Sequence, residues 1–195
     1  KLLSKERIQK ILAQNGYSSR RKIENLIKEG RVFINDSPAK LGDKIATEEK
    51  IFIDGKEINI SQRISSELLM YNKPVGEECT HTSTKRTVFD SLPKPKSGKW
   101  ICIGRLDINT SGLLLITNDG KLANEIIHPS KDTEREYIVR VRGKPSDSNL
   151  RKLMSGVKID SEEIFFSDLV RGKETSSHTW FALVIMSGKN RSVRK

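Results

Sequence analysis

The chain has 195 residues, 35% hydrophobic and 31% charged, enough for two small domains with modest cores. A net charge of +11 and a pI near 9.7 point to a polyanionic partner. No run approaches the roughly 18 to 20 apolar residues of a membrane-spanning helix, and charges interrupt the N-terminal "KLLSKERIQKIL" where a signal peptide would be apolar. Cys79 and Cys102 are too few for a disulfide framework. The expectation is a reduced, cytoplasmic protein that binds nucleic acid and has no membrane partner.

Ile8, Ile11 and Leu12 follow helical spacing up to Gly16, as do Ile23, Leu26 and Ile27 up to Gly30, with Ser18 or Ser19 as cap of the second helix. "RVFIN" reads as a strand turning at Asn35 and Asp36, and "KIFIDGKEI" as a hairpin about Asp54-Gly55. Residues 1–60 thus form a small α+β module. Residues 1–31 carry nine Lys or Arg against three Glu. Arg20, Arg21 and Lys22 open the second helix, where they add to its positive end and become candidate phosphate contacts. A solvated helix face would give the same pattern; the overall charge favours phosphate.

"SQRISS", residues 61–66, reads as a linker, and residues 67–195 as a second, larger domain. Its strands are expected at 68–72, 100–103, 113–117, 137–141 and 180–185. Its helices are expected at 121–127, capped by Asn118 or Asp119, and at 146–154. The stretch from Gly76 to Lys99 is a long Lys-, Pro- and Ser-rich loop of the kind that is functional or mobile. The fold class is α+β throughout.

There is no GxxxxGK[ST], HExxH or GxSxG, and His81, His128 and His178 are scattered, so neither a metal nor a cofactor is expected. What remains is Asp107, in "GRLDINTSGLLLITNDG", with Tyr137 and a basic end of Lys189, Arg191, Arg194 and Lys195. By spacing alone Asp107 stabilises a turn with Asn109, Thr110, Ser111 and Gly112, or is a reactive carboxylate at a strand end. Tyr137 alternates with Val139 and Val141 as a strand core residue would.

"YNKPVGEECT", "TVFDSLP", "GRLDINTSGLLLITNDGKLANEIIHPS", "EREYIVRVRG" and "GKNRSVRK" decide between them. In this order and spacing they resemble the motifs of the single-chain pseudouridine synthases of ribosomal RNA. "RIQKILAQNGYSSRRKIENLIKEGRVFINDSPAKLGDKI" resembles the S4-like RNA-binding module that precedes the catalytic domain in one branch. The resemblance implies a larger, mostly antiparallel mixed β-sheet domain flanked by helices, and a cofactor-free isomerisation of uridine to pseudouridine. Asp107 would be the catalytic carboxylate, Tyr137 the residue against the target base, and Arg194 the partner of Asp107. Arg105 would position the flipped nucleotide, with Lys73, Lys189 and Arg191 among the substrate contacts.

The implied partner is ribosomal RNA or an assembly intermediate, bound by a monomer. Overall similarity favours 23S over 16S RNA. A non-catalytic RNA-binding or ribosome-assembly protein could carry the same S4-like module. Two residues depart from the branch: Lys195 where a second Arg is common, and Ser187 where an acid is. The chain starts without Met and stops at Lys195, short of strands and a helix with which the family continues, and is expected to be part of a longer protein.

Overall fold

The computed structural model describes residues 5–46, 48–60, 65–128, 133–159, 161–186 and 193–194. The chain divides into two units, 1–123 and 124–195.

In the first unit, β1 (Glu6–Arg7) runs into α1 (Ile8–Gln14), followed by α2 (Arg20–Lys28). Gly16, at φ +78°, ends α1, with its N–H and that of Tyr17 donating to Ala13 O and Leu12 O. Ser19, not Ser18, caps α2: its Oγ accepts from Lys22 N at 3.3 Å. Short strands follow: β2 (Val32–Ile34), β3 (Ser37–Pro38), β4 (Lys44–Ile45), β5 (Ile51–Ile53) and β6 (Lys56–Ile58). They form an antiparallel sheet of order β3-β2-β5-β6, while β4 pairs with β1. The β5–β6 turn has Asp54 and Gly55 both at positive φ, 52° and 74°, as a two-residue hairpin loop with right-handed twist requires.

The apolar faces of both helices (Ile8, Leu12, Ile23, Leu26, Ile27) close over Val32, Ile45, Ile51 and Ile53. Each such side chain contributes about 1.5–3 kcal/mol on full burial, against about 1 kcal/mol for a cap. Apolar spacing therefore sets where the helices pack, and Ser19 only where α2 starts.

The same unit continues with β7 (Leu68–Lys73), a 3-10 turn (Val88–Ser91), β8 (Ile101–Ile103), β9 (Gly112–Thr117) and the start of α3 (Gly120–Ile127). Strand order is β7-β9-β8, all antiparallel, with Lys73 opposite Gly112 and Ile103 opposite Leu115. Val88, Trp100, Leu114 and Ile116 form its core. Asp119 caps α3, its Oδ1 accepting from Lys121 N and Leu122 N at 2.8 and 3.2 Å. Asn118, the other candidate cap, is buried elsewhere. Its amide accepts from Glu67 N and donates to Ser65 O and Ser97 O, tying the entry into β7 to the end of the long loop.

The second unit holds β10 (Arg135–Arg142), α4 (Asp147–Ser155), β11 (Val157–Ile159), β12 (Glu162–Ile164), β13 (Asp168–Glu174) and β14 (His178–Ile185). A three-stranded antiparallel sheet of order β10-β14-β13 lies beside the β11–β12 hairpin. Ile164, Phe166, Leu183 and Ile185 are its buried centre. The α+β class and the antiparallel sheets are as expected, and the five expected strands appear with ends shifted by one or two residues. Strands β11 to β13 were not expected. β13, "DLVRGKE", is an exposed edge strand with too few apolar residues to alternate. β11 and β12 are three residues each, too short for a period to register. Among the described residues, no helix is long and apolar enough to cross a membrane.

Candidate active site

Asp107 lies between β8 and β9, in a loop held at both ends. The turn closes locally, with Thr110 N donating to Asp107 O at 2.9 Å. On either side of Asp107, its neighbours are bonded to the segment after β7. Gly76 N donates to Ile108 O at 2.7 Å, and Cys79 Sγ to Leu106 O at 3.4 Å. Leu106 is anchored in the β7–β9 core. The Asp107 side chain is half-buried, and within its own unit its carboxylate makes no hydrogen bond or ion pair among the described residues. A buried carboxylate that serves the fold is paired or hydrogen-bonded. Among the described residues of its unit, this one is presented by the loop's backbone with its lone pairs unspent.

Lys73 ties the loop to the end of β7. Expected among the substrate contacts, it is fully buried, as its register dictates. The last residue of β7 points to the sheet's inner face, alongside Leu69 and Tyr71, opposite the start of β9. Its ammonium donates to Pro74 O and Thr110 O, both at 2.8 Å, clamping the exit of β7 to the Asp107 turn. Nothing in the sequence separates such a lysine from a surface one, since both read as a polar residue ending a strand.

The long loop from Gly76 to Lys99 is ordered by side chains that sequence reasoning missed. Glu77 is buried, accepting from Tyr71 Oη at 2.7 Å and Ser91 Oγ at 2.8 Å, and pairing with Arg86 at 3.1 Å. Burial first, and then the neighbouring Glu77 charge opposed by Ser91, leaves the Tyr71 hydroxyl above its ordinary pKa. His81 stacks on Phe89 with centroids 3.7 Å apart and bonds Trp100 O, and Trp100 Nε1 donates to Pro93 O at 2.6 Å. Arg105 is exposed, two residues from Asp107.

Tyr137 and Arg194 belong to the second unit. Tyr137 sits on β10 opposite Leu183, on the face that packs on Ile164 and Phe166, and Val193, next to Arg194, packs on the same cluster. That unit therefore brings Tyr137 and the chain around Arg194 to one core. Arg194 is exposed. Lys189, Arg191, Ser187 and Lys195 lie outside the described residues.

Arg20, Arg21 and Lys22 are all exposed in the first turn of α2, which carries no acid. Beside them an open cleft of about 350 Å³ is lined by Tyr17, Ser18, Lys22, Leu26, Arg31 and Asp54. Arg31 grips Asp54 through two bonds of 2.7 Å and reaches Glu29 at 2.9 Å. These partners hold the Arg31 guanidinium above its ordinary value and the Asp54 carboxyl below its own.

Residues 67–195 match the family described as RNA pseudouridylate synthase, and residues 6–51 match the S4 domain. The ribosomal large subunit pseudouridine synthase B of Vibrio vulnificus is 46% identical over 97% of this chain and 61% of its own length. Those of Pseudomonas aeruginosa and Haemophilus influenzae are each 44% identical over 97% of this chain, and over 50% and 55% of their own lengths. The chain thus spans half to about three-fifths of these curated relatives. A solved structure titled "Crystal structure of pseudouridylate synthase" superposes with a TM-score of 0.60 at 24% identity, covering 96% of this chain and 80% of that one, a likeness of fold. With an S4 domain before it, the chain belongs to the RNA pseudouridylate synthase family.

Proposed function

We propose that this chain isomerises a specific uridine of ribosomal RNA, in the 23S large-subunit RNA, to pseudouridine, with Asp107 as the catalytic carboxylate. The observation that carries the reading is Asp107 itself, a half-buried carboxylate with no partner among the described residues of its unit, on a loop clamped by Lys73 within the family-matched segment. The reaction breaks the bond from sugar to base nitrogen, turns the base and rejoins it through carbon 5. An ionised carboxylate serves as nucleophile or as partner of a glycal intermediate. Arg194 is its cationic partner, because a nearby opposite charge favours the ionised form. Tyr137 packs on the flipped base and takes part in removing the carbon 5 proton. Arg105 holds the phosphate or sugar of the flipped nucleotide, with Lys189 and Arg191 as further contacts.

Residues 1–60 are the RNA grip, 61–66 the linker and 67–195 part of the catalytic domain. The grip touches phosphate through Arg20, Arg21 and Lys22, and its tether raises the effective concentration of substrate at the catalytic domain. The protein works in the cytoplasm as a monomer without metal or cofactor.

The test incubates the full-length protein with unmodified 23S and 16S transcripts and assembly intermediates. Pseudouridine is mapped by carbodiimide modification and primer extension. One new stop on 23S RNA is expected, with a rate at least about a thousandfold lower for Asp107→Asn. A stop only on 16S RNA would change the substrate. RNA binding with no stop on any substrate would make the chain a binding or assembly protein.

A further inference from the structure

Beside the start of α2, the S4-like module holds an open cleft of about 350 Å³, within the range of about 300–1,000 Å³ that small-ligand sites occupy. Its lining residues are fixed through their backbones. Tyr17 N donates to Leu12 O at 3.1 Å, Arg31 N to Leu26 O at 3.0 Å and Asp54 N to Arg31 O at 3.1 Å. Tyr17 is 39% exposed, while Leu26 is 8% exposed and belongs to the module's core. A lone exposed aromatic needs no explanation. This one shares a cleft with buried apolar surface and with two cations of different standing. Arg31 gives two hydrogen bonds to the Asp54 carboxylate at 2.7 Å and one to Glu29 at 2.9 Å. Two acids thus surround one guanidinium, and a phosphate brought there would meet net negative charge. Lys22 is exposed in the first turn of α2, which carries no acid. A phosphate therefore belongs at Lys22 and Ser18, where the positive end of the helix adds to the charge. The Tyr17 ring, the Leu26 side chain and the neutralised Arg31 fork suit a flat, uncharged ring instead. One nucleotide supplies both parts. Bases within a duplex are stacked on one another and offer no free face, so the nucleotide must be unpaired.

We propose, on the reading of residues 1–60 as an RNA grip, that this cleft holds one unpaired nucleotide of the RNA, its base stacked on Tyr17 and its phosphate at Lys22. The basic first turn of α2 by itself would hold any RNA backbone, because phosphate contacts position a strand without reading it. Tyr17 adds the selection, directing the module to a loop, bulge or junction in preference to a helix. The chain's net charge of +11 favours a polyanion over a peptide as the occupant.

The experiment titrates the full-length protein into a short uridine strand carrying one internal 2-aminopurine, a fluorescent base that dims when stacked, and into the same strand annealed to its complement. The single strand should dim on binding. Tyr17→Ala should abolish the dimming and bind the strand about 5- to 150-fold more weakly, the range measured for losing one base–aromatic stack. Tyr17→Phe should restore both, and the duplex should bind the parent and Tyr17→Ala alike. Lys22→Ala should keep the dimming but lower the slope of log K against log salt by about 0.7, one single-strand phosphate. Dimming and affinity unchanged in Tyr17→Ala, a Tyr17→Phe that fails to dim, or a loss in Tyr17→Ala that affects strand and duplex equally would each overturn the proposal. The last would make Tyr17 a structural residue. No readout uses pseudouridine formation. A parent that binds neither strand nor duplex would sink the RNA grip itself, whereas binding that ignores Tyr17 would leave the grip standing and refute the nucleotide site alone.

Discussion

Lys73 and Asp107 sit at two ends of one loop and have opposite relations to the fold. The Lys73 ammonium satisfies two carbonyls in a buried place, so its loss strands both. Lys73→Met should destabilise the protein by about 2–5 kcal/mol, read as a shift of the urea midpoint at unchanged slope. Lys73→Arg should not rescue it, because a planar fork does not fit a pocket shaped to a compact ammonium. Asp107→Asn, by contrast, removes no bond to the described residues of its unit and should leave stability within about 1 kcal/mol of the parent while activity is lost. A Lys73→Met protein as stable as the parent would deny the clamp. A strongly destabilised Asp107→Asn would mean the carboxylate serves the fold.

At the scale of elements, the end of α1 and the end of the long loop approach through bare backbone. Gly98, at φ +71°, would place a Cβ 2.5 Å from Gln14 O, and Gly16 faces Gly98 in the same contact. Gly98→Ala should therefore cost more than left-handed strain alone, and lower the melting temperature well beyond Gly55→Ala. Gly55 has a similar φ, but its Cβ would meet nothing within 4 Å. Equal losses for the two variants would mean that α1 and the loop are not packed. Asp119→Ala removes the one oxygen that accepts from two N–H groups at the start of α3 and should cost about 1 kcal/mol in chemical unfolding. The same change at Asn118 should cost more, because that amide makes three backbone bonds to two other segments, residues 65–67 and Ser97.

For the whole molecule, charge decides acid stability and, on the proposed function, the grip on RNA. Asp54, Asp90 and Glu174 are held below their ordinary carboxyl values, by Arg31, by the Thr87 backbone and hydroxyl, and by Lys144 respectively. A depressed carboxyl stabilises above its unfolded pKa, and loses that contribution as pH falls through the folded value. The melting temperature should be flat from about pH 5 to 7 and fall below about pH 4, where these groups protonate. A rise on acidification would contradict the assignment. Phosphate contact at α2 predicts a steep fall of affinity with salt. Replacing Arg20, Arg21 and Lys22 by Ala should shrink the slope of log K against log salt by about two. An unchanged slope would place the phosphates elsewhere.

The sequence by itself determined the α+β class, both helices and the hairpin of the first module, and the strands whose residues alternate. Burial acts on periodicity, and Ile51 and Ile53 or Leu114 and Ile116 can face a core in only one register. It also singled out Asp107, through motif order. Tertiary structure alone decided that Lys73 faces inward, that Asn118 joins segments rather than capping a helix, and that Cys79 reaches Leu106 O. Each of these depends on which distant backbone comes within about 3 Å of a polar atom, a quantity no local pattern encodes. The edge strand β13 belongs with them. Its residues are polar because one side of it has no neighbour, and only its pairing with β14 makes it a strand.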